Sequence, residues 1–151
     1  MLTQQQALEL FTYVDGVLYH KDNCKCAGWV TKQGYVRVGF NRKSMLSHRI
    51  IYLMHYGHAP EFIDHIDGDK QNNRIENLRA ATRAQNQLNA KLRKDSVTKL
   101  KNVTKHRNKW QVRMRIDGVL THIGTFADLE LAKFVASEYR DKFHGEFANH
   151  G

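Results

Sequence analysis

Phe62-Ile63-Asp64-His65-Ile66-Asp67-Gly68-Asp69, continued by KQNNRIENLRAATRAQNQLN to Asn89, is the stretch that decides the fold. It reads as a strand, a polar loop rich in Asn and Asp, a short second strand around Leu78, and a helix. Thr82 with Gln85 three residues later is a capping-box signature, which places Asn86 and Asn89 in or just after the helix's first turns. Asp64 and His65 set a carboxylate beside an imidazole at the end of the first strand. Neighbours on a strand point to opposite faces, so both can serve one site only where the backbone bends or twists. A hairpin with a helix folded back across it would bring them towards Asn86.

Outward from this stretch the sequence changes character on both sides. The first forty-odd residues read as short strands and tight turns. Asp15-Gly16 between FTYV and VLYH is a two-residue hairpin signal, and Gln33-Gly34 precedes the alternating run YVRVGF. From Ser47 the period becomes helical through Ile50, Ile51, Leu53 and Met54, with Ser47 as the expected cap and Gly57 and Pro60 as the expected stop. After Asn89, the segment LNAKLRKDSVTK has no apolar period and predicts a helix end passing into a linker, with a domain boundary near Ser96. Beyond it, Trp110, Val112, Met114 and Ile116 alternate with Gln111, Arg113 and Arg115, as on a half-buried strand. Asp117-Gly118 reverses the chain into VLTHIGTF. Asp128 is placed to cap a final helix whose apolar positions include Leu131, Phe134, Val135 and Tyr139.

Charge narrows the partners. The net charge of +9 is concentrated between Lys70 and Lys109, where twelve Lys and Arg face only Glu76 and Asp95. One-signed charge of this density favours a polyanion, because each phosphate neutralised releases condensed counterions. No amphipathic helix joins a basic face to a strongly apolar one, so nucleic acid is favoured over a membrane surface. No apolar run reaches the length of a membrane span, and MLTQQQALEL lacks the regions of a secretory signal. Cys24 and Cys26 are too close to staple the fold to itself. The expected location is the cytoplasm.

Hydrolysing a phosphodiester requires a general base to activate water and positive charge on the phosphate and the leaving oxygen. Oxygen ligands such as Asp and Asn suit the hard divalent cations that supply it. Residues 48–89 combine His48-Arg49, Asp64-His65-Ile66-Asp67-Gly68, Asn72-Asn73-Arg74-Ile75-Glu76-Asn77-Leu78-Arg79 and Asn86. In these positions the chain resembles the HNH nucleases of phage and intron-encoded homing endonucleases. The resemblance implies a ββα-metal fold in which Asp64 and Asn86 bind one divalent ion, Mg2+ or Mn2+, and His65 is the general base. It further implies that Asn77 hydrogen-bonds to backbone and holds the His65 strand in position. Cys24-Lys25-Cys26 has the wrong spacing for the zinc pairs that many HNH proteins carry, so no structural zinc is expected. Arg49 and Arg79 are candidate phosphate contacts. His48 reads as a packed or hydrogen-bonded residue at its helix start.

Residues from about Lys101 to Ala148 resemble the AP2 DNA-binding domain. The matching pieces are Asn102-Val103, Trp110-Gln111-Val112, Ile116-Asp117-Gly118, Ile123-Gly124-Thr125-Phe126, Leu131-Ala132, and Phe143 with Gly145-Glu146-Phe147-Ala148. A three-stranded sheet can lie in the major groove with alternate side chains reaching bases and phosphates. The turn at Asp117-Gly118 sets Arg113 opposite His122, and with Arg107, Lys109 and Arg115 this face is the expected DNA surface.

The expected protein is therefore α+β, with a ββα-metal HNH nuclease module and N-terminal β-hairpins in 1–96 and a small three-stranded sheet plus helix in 97–151. Its expected partner is double-stranded DNA, without a membrane or small-molecule cofactor and with a monomer favoured. The rival reading is a non-catalytic DNA-binding regulator that uses the second module alone. An RNA-binding protein is disfavoured, since the aromatic stacking motifs of single-strand RNA modules are missing.

Overall fold

The computed structural model describes residues 2–89, Leu92, Ser96 and 98–150, and the chain divides into two compact units, Met1–Thr82 and Arg83–Gly151. The expected passage from helix into linker, with its boundary near Ser96, lies largely outside the described residues.

The first unit begins with a helix, α1 (Gln4–Leu10), where strands and turns were expected. Its cause is local and visible in the sequence. Thr3 Oγ1 accepts from the Gln6 N–H at 3.2 Å while Gln6 Oε1 accepts from the Thr3 N–H at 3.1 Å, a complete capping box. Strands β1 (Phe11–Val14) and β2 (Val17–His20) then form the hairpin that Asp15-Gly16 announces. Both turn residues have positive φ, 47° and 87°, and a Cβ on Gly16 would lie 2.9 Å from the Arg74 nitrogen.

A second small sheet has β4 (Val36–Phe40) between β3 (Trp29–Val30) and β5 (Lys43–Leu46), all antiparallel. Helix α2 (Ser47–Tyr56) follows directly. Ser47 does not cap it: Leu46 occupies the cap position without a side-chain bond, and Ser47 is a buried first helical residue. Gly57 ends the helix at φ 76°, with its N–H on the Leu53 carbonyl. Ile50, Ile51, Leu53 and Met54 of α2 join Ala7, Phe11, Leu18 and Val38 in one core. Ile63 and Leu78 belong to the same core. They sit on β6 (Phe62–His65) and β7 (Leu78–Ala81), an antiparallel pair in which Asp64 faces Arg79 and His65 faces Leu78. The core thus fixes the very hairpin that carries Asp64 and His65.

The second unit opens with α3 (Arg83–Leu88). Its sheet has β9 (Lys109–Ile116) between β8 (Val103–His106) and β10 (Val119–Phe126). Asp117 and Gly118, at φ 48° and 82°, set Ile116 against Val119 and Arg113 against His122, and the register then shifts between His122 and Gly124. Val112 and Met114 are fully buried on one face, while Arg113 and Arg115 are exposed on the other. Asp128 caps α4 (Leu129–His144) by accepting the Leu131 N–H at 2.7 Å.

The buried face of α4 differs from the one expected. Ala132, Ala136 and Arg140 are buried at four-residue spacing, whereas Leu131 and Phe134 are exposed. Small side chains let the helix backbone approach the sheet, so packing selects the alanine stripe over the bulkier residues beside it. Helices and mainly antiparallel sheets in both units make the chain α+β. Among the described residues no helix is long and apolar enough to cross a membrane.

Candidate active site

Asp64 and His65 end β6, and each is only 5% exposed. A carboxylate in such a place needs a partner, since an uncompensated buried charge is strongly unfavourable. Arg79, directly across on β7, provides one: its Nε and Nη2 donate to Asp64 Oδ2 at 2.9 and 2.7 Å. The Arg79 side chain is itself largely buried. Arg79 was expected on DNA phosphate; the structure places its guanidinium on Asp64.

The His65 ring is held on one edge by Asn73, a residue to which the sequence assigned no role. His65 Nε2 lies 3.0 Å from Asn73 Oδ1, and Asn73 is 2% exposed. An amide oxygen can only accept, so Nε2 carries a hydrogen, and whenever the ring is neutral its basic nitrogen is Nδ1. The bond thereby selects the tautomer that a base acting through Nδ1 needs. The only signal in the sequence was the pair Asn72-Asn73 inside a loop, and polar loop residues are usually exposed.

His48, at the start of α2, meets the His65 ring edge-on with centroids 5.0 Å apart, and Tyr35 packs at 5.7 Å from His48 and 6.2 Å from His65. Burial first, then the nearby His65 and Arg49, push the His48 pKa down to about 3, so this ring is neutral. Its Nδ1 is buried without a hydrogen-bond partner among the described residues. His48 is thus a packing wall for His65, which agrees with reading it as a packed residue at its helix start.

Asn77 ties down the loop that leaves β6. Its Oδ1 accepts the Asp67 N–H at 3.1 Å, and its Nδ2 donates to Asp67 Oδ1 at 2.9 Å and to the Asn72 carbonyl at 2.8 Å. Its own carbonyl accepts the Ile66 N–H at 2.9 Å, one residue past His65. Asp67 is the hub of the same loop. Burial raises its pKa, but bonds from Asn72, the Asp69 N–H and Asn77 outweigh that and hold the carboxyl below its ordinary value.

Arg49 on α2 donates to the Glu61 carbonyl at 3.0 Å. Asn86 is half-buried on α3, in the second unit. Arg107, Lys109, Arg113, Arg115 and His122 are all exposed, with Arg113 paired to His122 across β9 and β10. Arg107 stands in the β8–β9 turn at φ 54°. Among the described residues no three His, Cys, Asp or Glu side chains come together as a metal cluster. Asp64 nonetheless has the donor chemistry that a hard cation selects, a carboxylate oxygen. Cys24 and Cys26 are exposed free thiols.

Comparison with known proteins gives this geometry a context. Residues 46–88 match the family described as HNH endonuclease. Protein 3.8 of Escherichia phage T7 is 34% identical over 91 residues, which cover 58% of this chain and 73% of that protein. A protein of Acanthamoeba polyphaga mimivirus named as an uncharacterized HNH endonuclease is 32% identical over 124 residues, covering 80% of this chain and 64% of that protein. No solved structure matches the chain significantly.

Proposed function

Because the chain belongs to the HNH endonuclease family, we propose that it cuts double-stranded DNA as a homing-type nuclease, with His65 as general base. The observation that carries this reading is the bond from His65 Nε2 to Asn73 Oδ1, which leaves Nδ1 as the basic nitrogen of a buried, oriented ring. His65 would take a proton from the attacking water through Nδ1, and the resulting imidazolium would keep its Nε2–H on Asn73. Because the amide oxygen accepts in both protonation states, the ring need not move during the reaction. Asn77 would contribute by position: it closes the loop onto the backbone beside His65 and touches no reacting atom.

Asp64, with Asn86 as the second oxygen donor implied by the sequence, would hold one divalent ion, Mg2+ or Mn2+. Bound there, the ion supplies positive charge to the phosphate and to the departing 3′ oxygen. Arg79 holds the Asp64 carboxylate in place through two hydrogen bonds to Oδ2, at 2.9 and 2.7 Å. In-line attack on phosphorus would leave 5′-phosphate and 3′-hydroxyl ends. The second unit, read as an AP2-like module, would hold the duplex on the face of Lys109, Arg113, Arg115 and His122. Exposure of these cations opposite a fully buried Val112 and Met114 supports that assignment.

The test is incubation of supercoiled plasmid with the full chain in Mg2+ and in EDTA. Cleavage in Mg2+ alone, lost in His65→Ala with duplex affinity kept within a few-fold, is the expected result. Binding without cleavage by the unmodified protein would instead point to a DNA-binding regulator.

A further inference from the structure

Among the described residues of the second unit, two cationic side chains bury a nitrogen that has no hydrogen-bond partner. Arg140, on the inner face of α4, is 5% exposed. Its Nη1 donates to the Lys101 carbonyl at 2.9 Å, and its Nη2 lies 3.4 Å from His150 Nδ1, but its Nε has no hydrogen-bond partner among the described residues. The Lys101 ammonium nitrogen is buried as well and equally lacks a partner. Both residues line one cavity of about 330 Å3, together with Lys133, Ser137 and His150. The one acid lining it, Glu130, is paired with Lys133 at 3.5 Å. Asp141, the carboxylate that acts electrostatically on Arg140, is engaged by His150 Nε2 at 3.0 Å.

This arrangement is unfavourable as it stands. A buried charged donor left unsatisfied is costly, and two like charges beside one another add repulsion. Burial and the neighbouring Arg140 push the Lys101 pKa down to about 8, and burial lowers that of Arg140. Unsatisfied buried groups in a native fold call for an occupant that completes them. We propose that this cavity is a phosphate-binding site, in which the oxygens of one phosphate group accept hydrogen bonds from Lys101 Nζ and Arg140 Nε. A phosphate fits better than a carboxylate because its several oxygens reach donors on different residues and its charge can balance both cations. The phosphate comes either free from solution or from a DNA backbone, and the chemistry at the two nitrogens is the same. The site is independent of the nuclease reading, since none of its residues belongs to the His65 site.

Nuclear magnetic resonance of the full chain labelled with 15N reads the site directly through the Arg140 Nε–H signal, assigned by its loss in Arg140→Lys. Inorganic phosphate is titrated against chloride at matched ionic strength, and a random-sequence duplex is titrated in parallel without phosphate. The expected result is a saturable downfield shift of that signal, in the millimolar range or below, which disappears in Lys101→Met. A shift with both titrants or with phosphate alone identifies a free phosphate site. A shift with duplex alone, again lost in Lys101→Met, identifies a backbone phosphate. A signal that neither titrant moves, or a Lys101→Met protein that responds as wild type does, overturns the proposal. The titration of the unmodified protein decides even if the variant folds poorly.

Discussion

Asn73 Oδ1 accepts from His65 Nε2 at 3.0 Å, and both side chains are buried. This amide is a positioning group: it sets the tautomer and the angle of a ring that Tyr35 and His48 also enclose. Asn73→Ala should therefore lower kcat about tenfold to a hundredfold with little change in duplex affinity, by analogy with the loss of other groups that orient a reactive imidazole. Asn73→Asp is the more telling variant. A carboxylate there favours the imidazolium, so the acid limb of the rate profile should move to higher pH. A purely structural Asn73 would change stability in both variants and leave that limb in place.

Asp64 and Arg79 make the second relationship, a buried ion pair across β6 and β7 with side chains 6% and 13% exposed. Removing one partner leaves the other's buried charge less well compensated. Arg79→Ala should lose about 3–5 kcal/mol in urea unfolding, and Asp64→Ala a comparable amount. The double variant should lose clearly less than the sum, because neither charge is then left unpaired. A divalent ion should restore part of the stability of Arg79→Ala and none of that of Asp64→Ala. Strict additivity in the double variant would show that the two residues do not couple.

Titration of His48 gives a pH dependence with a definite sign. The folded pKa, about 3, lies below the ordinary value of 6.5. Between these values the unfolded chain binds a proton that the folded chain does not, so stability falls as pH drops from 6.5 towards 3 and is unaffected above 6.5. The slope for one such group is at most about 1.4 kcal/mol per pH unit. The groups facing His48 are His65, Arg49 and Tyr35, and the electrostatic effects of His65 and Arg49 act in the same direction as burial. Thermal unfolding between pH 6.5 and 4 should show the loss in the wild type and a flatter dependence in His48→Gln. The window stops at 4 because Asp67, whose folded pKa is depressed, adds its own loss of stability below its ordinary 3.8.

Much of this was legible in the sequence because the signals were local. Asp15-Gly16 and Asp117-Gly118 set their hairpins through backbone geometry alone, and Gly57 ended α2 the same way. The capping box at Thr3 and Gln6 was equally local, but the apolar alternation just beyond it drew the reading towards strands. What escaped was decided by packing. Ser47 has the right chemistry for a cap, yet β5 runs into α2 so directly that Leu46 takes the position. Leu131 and Phe134 are the more apolar residues of α4, yet Ala132 and Ala136 are the ones that fit against the sheet. Asn73 was one asparagine among several in a loop, and only burial beside His65 distinguishes it.

The outer face of the second sheet supplies the last prediction. Arg113 and Arg115 project from β9 away from Val112 and Met114, and Arg115 also donates to the Gly118 carbonyl at the hairpin turn. Replacing both with Ala removes two charges and leaves the buried face intact, so the double variant should fold with an unfolding midpoint close to that of wild type. If each guanidinium neutralises one phosphate, the slope of log affinity against log salt should fall by about two. If one of them reads a guanine edge instead, the loss should be larger on the preferred sequence, by about 1–3 kcal/mol. Filter binding across a salt series, on specific and random duplexes, separates the two outcomes. A folded double variant with unchanged affinity, salt slope and site preference would show that this face does not meet DNA. The basic charge between Lys70 and Lys109 would then have to carry the duplex by itself.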